Sequence, residues 1–144
     1  MYEKFIKLAQ KVEKYHTCYD LHAYFFMEFA VEYTSRKNHL KQSHATNQHI
    51  SGEELINGFL ELVVKVYEEL APLALEYWGV KSGRDVGVIV YDLIESKILS
   101  ASQDDSLSDF DCVGELISKM DEEKMIEINR TPDQRKYIKF PIID

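Results

Sequence analysis

The amino-acid sequence predicts a mainly α-helical fold with a small β component. Apolar residues recur at helical spacing in several segments, serine capping signals precede two of these segments, and β-like stretches occur only in the second half of the chain. The 144 residues, of which 45% are hydrophobic, suffice for one compact core, so we expect residues 1–144 to form a single domain. We expect a helical bundle with a winged-helix-like middle, meaning a helix-turn-helix followed by a wing, and a C-terminal hairpin.

The first half of the chain predicts two helices and a loop. Residues 2–15 place apolar side chains at helical spacing, which predicts the first helix. The second helix, about residues 18–36, would begin after a capping residue, Thr17, and is apolar almost all round. We therefore expect it to lie at the centre of the domain. Residues 37–50 lack periodicity and predict a loop.

A capping box predicts the start of the third helix. Ser51 and Glu54 have the spacing at which each side chain bonds the other residue's backbone amide. The apolar stripe that follows continues to Leu70. Pro72 lacks an amide proton, so it should end this helix and begin a short helix over 72–78.

A second capping signal predicts a longer helix directly afterwards. Ser82 and Asp85 repeat the cap spacing, so a short helix, a tight turn and a longer helix follow in helix-turn-helix order. Gly87 lies at the edge of the apolar face, where its missing side chain would let another helix come close. The stretch KILSAS then predicts a strand, and residues 101–110 would form the wing.

The C-terminal part predicts one more helix and a hairpin. Residues 113–127 have the pattern of a helix. The stretches KMIEIN and RKYIKFPII flank RTPDQ, in which proline and aspartate favour a turn, so they predict two paired strands.

Four segments together resemble a small family of uncharacterised bacterial proteins. They are HISGEEL at 49–55, APLALEYWGV at 71–80, DVGVIVYDLIE at 85–95 and LSASQDDSLSDF at 99–110. They match, in order, the family pattern H-x-S-G-x-E-L, P-L-A, W-G, D-x-G-x-I/V-V and D-S-x-x-D-F. The resemblance spans about residues 18–110 and leaves 111–144 as a C-terminal extension. It implies a related fold and a bacterial, cytosolic setting, and it implies no activity.

The charge of the chain disfavours partners that are themselves anionic. The formal net charge is −8, with seven basic and five acidic residues in 1–50 against ten basic and twenty acidic residues in 51–144. Such a balance disfavours binding to nucleic-acid backbones and to anionic lipid. The sequence shows neither a secretory signal pattern nor an apolar run of membrane-spanning length, and its two cysteines lack metal or redox spacing. We therefore expect a cytoplasmic protein with reduced thiols and no membrane contact.

The exposed face of the second helix of the helix-turn-helix is acidic where a DNA-reading helix needs basic groups. Residues 79–111 contain three basic and seven acidic side chains, so phosphate contacts are disfavoured. We expect this face and the following loop to contact a protein partner or a second copy in a homo-oligomer. The candidate interaction surface consists of Arg84, Asp85, Asp92, Glu95, Asp105 and Asp109.

Three histidines define an alternative metal site. His39, His44 and His49 are five residues apart, a spacing that does not place neighbours on one helix face. In a loop they could converge with Cys18 or a carboxylate as a fourth ligand to bind a metal ion. The sequence contains no nucleophile motif, phosphate-binding glycine loop or dinucleotide fingerprint, so no cofactor is expected. Three hypotheses follow: a non-enzymatic interaction or regulatory module, a winged-helix nucleic-acid-binding protein, and a metal-binding protein or metal-dependent enzyme.

Overall fold

The structure, a computed structural model, is mainly helical and describes residues 2–12, 19–41, 50–100, 106–123 and 125. The only β pairing in the described residues is an isolated antiparallel bridge between Ser82 and Glu115. The α-helices are α1 (Tyr2–Val12), α2 (Leu21–Lys41), α3 (Gly52–Tyr67), α4 (Ala71–Trp78), α5 (Gly83–Glu95) and α6 (Leu116–Glu122), and two 3-10 helices span Glu68–Leu70 and Leu107–Phe110.

Helix α2 is the central element, as its apolar sequence predicts. It packs against α1, α3, α4 and α5, and it buries Tyr24, Met27 and Ala30. It begins at Leu21, after the position predicted from Thr17, and the Asp20 carboxylate accepts the backbone amide of His22 at 2.8 Å. A side-chain oxygen at this position satisfies one of the unpaired amides of the first turn.

The predicted loop over 37–50 is wrong at its start, because α2 continues to Lys41. Two contacts to α3 hold the additional turn in place. Lys37 forms an ion pair of 2.6 Å with Glu61, and the Asn38 amide donates to Glu54 at 2.6 Å. Sequence periodicity does not register such polar contacts between helices, so the prediction ended the helix too early.

Helix α3 begins with the predicted capping box, but it ends before the predicted position. Both bonds between Ser51 and Glu54 are present. The helix ends at Tyr67 because the next residue, Glu68, has a φ of 50°, outside the right-handed helical region. A 3-10 turn separates it from α4, in which Pro72 occupies the first turn as predicted.

An aromatic cluster connects α2, α3 and α4 around the single tryptophan. The Trp78 side chain is 4% exposed, and its ring centroid lies 5.1 Å from Phe26, 5.6 Å from Tyr67 and 6.5 Å from Phe59. Gly79 caps the C-terminus of α4 with a φ of 78°, a left-handed conformation that glycine adopts without strain. Trp78 is thus a core residue.

The predicted strand after α5 is wrong. Lys97 adopts a φ of 63°, and the Ile98 amide donates to the Leu93 carbonyl at 2.9 Å, so residues 96–99 form a helix-ending turn. Part of the predicted wing, residues 101–105, lies outside the described residues, and Leu107–Phe110 is a 3-10 helix rather than a strand.

The C-terminal extension contributes one described helix to the fold. Helix α6 lies within the predicted range 113–127 and buries Leu116 and Met120. The Leu116 amide donates to the Lys81 carbonyl at 2.9 Å, which connects α6 to the start of α5. The predicted hairpin lies outside the described residues. None of the described helices is long and apolar enough to cross a membrane.

Candidate functional site

The three histidines of the predicted metal site are only partly covered by the structure. His39 belongs to the last turns of α2 rather than to a loop, and His44 and His49 lie outside the described residues. Within the described ranges, no group of three or more His, Cys, Asp or Glu side chains is arranged to hold a metal ion. The metal hypothesis therefore gains no support from the described residues.

Two carboxylates predicted to lie on a solvated face of α5 instead face Tyr19 and α2. The Tyr19 hydroxyl, just before α2, donates to Asp85 at 2.5 Å, and the Tyr24 hydroxyl on α2 donates to Asp92 at 2.6 Å. Asp85 and Asp92 are two turns apart on α5, so the two bonds form a ladder between α5 and residues 19–24. The helical wheel missed this contact, because it separates apolar from polar residues and does not see a tyrosine whose hydroxyl needs a partner.

The remaining residues of the predicted surface have different roles. Arg84 forms an exposed ion pair of 2.9 Å with Asp111, and Glu95 is exposed near the end of α5. Asp109 accepts the Ser106 amide at 3.0 Å and caps its own 3-10 helix, whereas Asp105 lies outside the described residues. Of the described residues in the predicted surface, Arg84, Asp85, Asp92 and Asp109 are therefore bonded to other residues of the fold.

The two ladder carboxylates have pKa values shifted in opposite directions. Burial raises the pKa of Asp85, but hydrogen bonds from the Tyr19 hydroxyl and the amides of Lys81 and Ser82 lower it by more, so its pKa lies below the ordinary value of 3.8. Burial also raises the pKa of Asp92. The bond from Tyr24 lowers that pKa and the Glu95 charge raises it again, which leaves it above 3.8.

The wild type should lose stability as the pH rises through the folded pKa of Asp92, and we expect Asp92→Asn to abolish this pH dependence. The folded pKa of Asp92 exceeds its unfolded value, so stability is fully present below the unfolded pKa and falls as pH rises through the folded one. Asparagine can still accept the Tyr24 hydroxyl but does not titrate. Urea unfolding at a series of acidic pH values, followed by the fluorescence of buried Trp78, measures the effect.

Asp85→Asn is the matched control for this pH dependence, with the opposite sign. The folded pKa of Asp85 is depressed, so its stability contribution is present above the unfolded pKa and is lost as pH falls through the folded one. The wild type should therefore lose this stability on acidification, and Asp85→Asn should not. Parallel curves for the wild type and both variants would contradict the assignment.

A short segment crosses the beginnings of α3 and α5, and we call residues 106–116 the strap. The backbone of Asp109 lies so close to Gly52 that a Cβ atom there would come within 2.5 Å of the carbonyl oxygen. A Cβ atom at Gly87 would lie 2.7 Å from the ring of Phe110. Gly87 thus permits a close approach as predicted, and the approaching element is the 3-10 helix of the strap rather than another α-helix.

Three of the four segments that resemble the family pattern, at 49–55, 85–95 and 99–110, meet at the strap. Three capping boxes begin the elements that contact each other here: Ser51 with Glu54, Ser82 with Asp85, and Ser106 with Asp109. The side chain of Phe110, which belongs to the strap, is 6% exposed, and its ring centroid lies 6.4 Å from that of Tyr91. These residues therefore have structural roles in caps and packing.

The cysteines take no part in a described site with catalytic geometry. Cys112 is exposed, and its thiol donates to the Asp109 carbonyl at 3.5 Å. It borders an open cavity of about 320 Å³ whose charged lining side chains, Glu53 and Asp109, are both acidic. Cys18 lies outside the described residues.

Sequence reasoning missed two strongly exposed apolar side chains on α4, which have the largest exposure among the large apolar residues that the structure describes. Leu73 is 60% exposed and Tyr77 is 77% exposed, and their i, i+4 spacing places them on one face. The opposite face buries Ala71, Leu75 and Trp78. The signal was available, because the α4 segment APLALEYW is apolar except for Glu76, and one side of so short a helix suffices to reach the core.

Comparison of the chain with family models, curated proteins and solved structures finds no match.

Proposed function

We propose that the chain is a non-enzymatic protein-interaction or regulatory module that binds its partner through the outer face of α4. The exposure of Leu73 and Tyr77 supports this proposal, because adjacent apolar side chains left in water mark interaction surfaces. Tyrosine is enriched at such surfaces, since its ring gives a large contact area and its hydroxyl remains hydrated.

The roles of the polar residues add to this proposal. Asp85 and Asp92 are bonded to tyrosines of the neighbouring segment, and Asp109 caps the strap. Side chains that hold helices together are engaged in the folded state and are poorly suited to acid–base chemistry on a substrate. We also propose that the chain belongs to the small bacterial family that it resembles, and that the family pattern describes this fold.

A photo-crosslinking experiment tests the proposed function. A benzophenone amino acid placed at position 77 should form a covalent adduct with a defined protein in the native host, identified by mass spectrometry. Adding Leu73→Asn should weaken the adduct, because it removes the adjacent apolar contact. The same amino acid at position 6, which is exposed on α1, is the control. Equal adducts from both positions would contradict the proposal.

A second candidate function is a winged-helix nucleic-acid-binding module, favoured by the order of α4, a tight turn and α5. Its charge is unfavourable, because Arg84 is already paired with Asp111 and residues 79–111 contain seven acidic against three basic side chains. A mobility-shift assay with random duplex DNA at low salt distinguishes the two functions. Tight, salt-sensitive binding that Arg84→Ala abolishes would support the nucleic-acid function and overturn the protein-interaction proposal.

A further inference from the structure

The apolar face of α4 continues toward α6 through a small cavity. The cavity measures about 200 Å³ and is lined by Glu76, Val80, Lys81, Glu115 and Ile117. Glu76 lies three residues after Leu73 on α4 and so shares its face, and Ile117 on α6 is itself 36% exposed. We call Leu73, Glu76, Tyr77, Glu115 and Ile117 together the α4–α6 surface.

Acidic side chains lie within and beside this apolar surface. Glu76 and Glu115 belong to it, and the exposed Asp121 follows Ile117 by one turn of α6. Among the cavity-lining residues, Lys81 carries the single positive charge. The surface therefore combines an apolar centre with a negative potential.

We infer that the partner of the α4–α6 surface is a basic amphipathic helix of another protein. This inference rests on the proposed function and adds the chemistry of the partner. Lysine or arginine side chains would pair with the surrounding carboxylates, while apolar side chains on one face of the helix would cover Leu73 and Tyr77. The cavity is smaller than the several hundred Å³ of a typical small-molecule site, so it suits an inserted side chain better than a cofactor.

The charge argues against the other occupants of this surface. A two-fold dimer uses the same patch on both copies, so it would bring the acidic groups of one copy against the same groups of the other. The negative charge of the surface also repels nucleic acid and anionic membranes, which are themselves negatively charged. A basic helix alone gains from both the apolar centre and the charges around it.

Binding of two matched peptides to the full chain tests the inference. Both are labelled helical peptides with leucines on one face, and the polar positions are lysine in one and glutamate in the other. Fluorescence anisotropy should show the lysine peptide binding at least about tenfold more tightly than the glutamate peptide, with affinity that falls as salt is added. Both apolar anchors are exposed, so variants at these positions should retain the fold.

The variants locate the binding site. Leu73→Asn combined with Tyr77→Ser should weaken lysine-peptide binding about tenfold, and Glu76→Gln should weaken it about twofold and reduce its salt dependence. Ile6→Asn is the matched control, since Ile6 is 39% exposed on α1. This variant should bind the lysine peptide with the affinity of the wild type. Circular dichroism confirms that each variant is folded.

Several outcomes would overturn the inference, and they separate it from the proposed function. If the double variant binds the lysine peptide as tightly as the wild type does, the peptide binds at another surface. If the glutamate peptide binds more tightly than the lysine peptide, the charge assignment is reversed. Self-association in sedimentation experiments that the double variant abolishes would identify a second copy as the occupant. If neither peptide binds while position 77 still crosslinks a defined protein, the inference fails and the proposed function stands.

Discussion

Replacing Phe110 with alanine is expected to lower the free energy of unfolding by about 3–5 kcal/mol, the largest single-residue effect that we predict. The ring is 6% exposed and packs edge-on against Tyr91, with its Cδ2 atom in the space that the absent side chain of Gly87 leaves open. Truncation would remove this contact and leave a cavity that the rigid helix α5 cannot close. Urea unfolding followed by Trp78 fluorescence measures the loss.

Phe29→Ala is the matched control for this prediction. Phe29 is 37% exposed on α2, so the same truncation removes less buried surface and should cost about 1 kcal/mol. Its ring contact is with Phe25, at a centroid distance of 5.1 Å. If the two variants lost the same stability, the strap would not depend on Phe110 for its attachment to α5.

The close approach of the strap also explains why a serine and a glycine stand together at the starts of α3 and α5. The backbone of the strap lies against the first residues of two helices, Gly52 and Gly83, where any larger side chain would collide with it. Each of these glycines follows the serine of a capping box, because the same turn that bonds the cap also faces the strap. Repeated Ser-Gly pairs at helix starts therefore indicate a shared neighbour, which no single helix would reveal.

Helix starts were predictable from the sequence where local chemistry decides them. The caps at Ser51 and Ser82 involve bonds within four residues, so reading the sequence alone found both. Helix ends were less predictable. The ends of α3 and α5 depend on positive φ angles at Glu68 and Lys97, two residue types with no strong preference for that conformation.

The candidate site was hardly predictable, because its features depend on tertiary contacts. Whether Asp92 faces water or Tyr24 is decided by how α5 packs on α2, and a helical wheel contains no such information. The exposure of Leu73 and Tyr77 likewise depends on which side of α4 meets the core. Composition alone favoured a protein partner over nucleic acid, but it could not locate the surface.

Gly58→Ala is expected to destabilise the protein by about 2–3 kcal/mol, although alanine favours a helix over glycine by about 1 kcal/mol. The packing of α2 on α3 decides whether the substitution stabilises or destabilises the protein. A Cβ atom at Gly58 would overlap the hydroxyl oxygen of Thr34 and lie 3.0 Å from its Cβ atom. Thr34 is 2% exposed and its hydroxyl bonds the Ala30 carbonyl at 2.8 Å, so it cannot move aside without losing that bond.

A double-mutant cycle separates this collision from other effects of the substitution. Thr34→Ala alone should cost about 1 kcal/mol through its lost hydrogen bond. Combined with Gly58→Ala it should cost less than the sum of the two, because removing the hydroxyl frees the space that the new methyl group needs. Gly114→Ala is the control, since a Cβ atom there meets nothing within 4 Å and the change should stay within about 0.5 kcal/mol. Strict additivity would show that α2 and α3 adjust their separation freely, and close packing at Gly58 would then not be what positions the two helices.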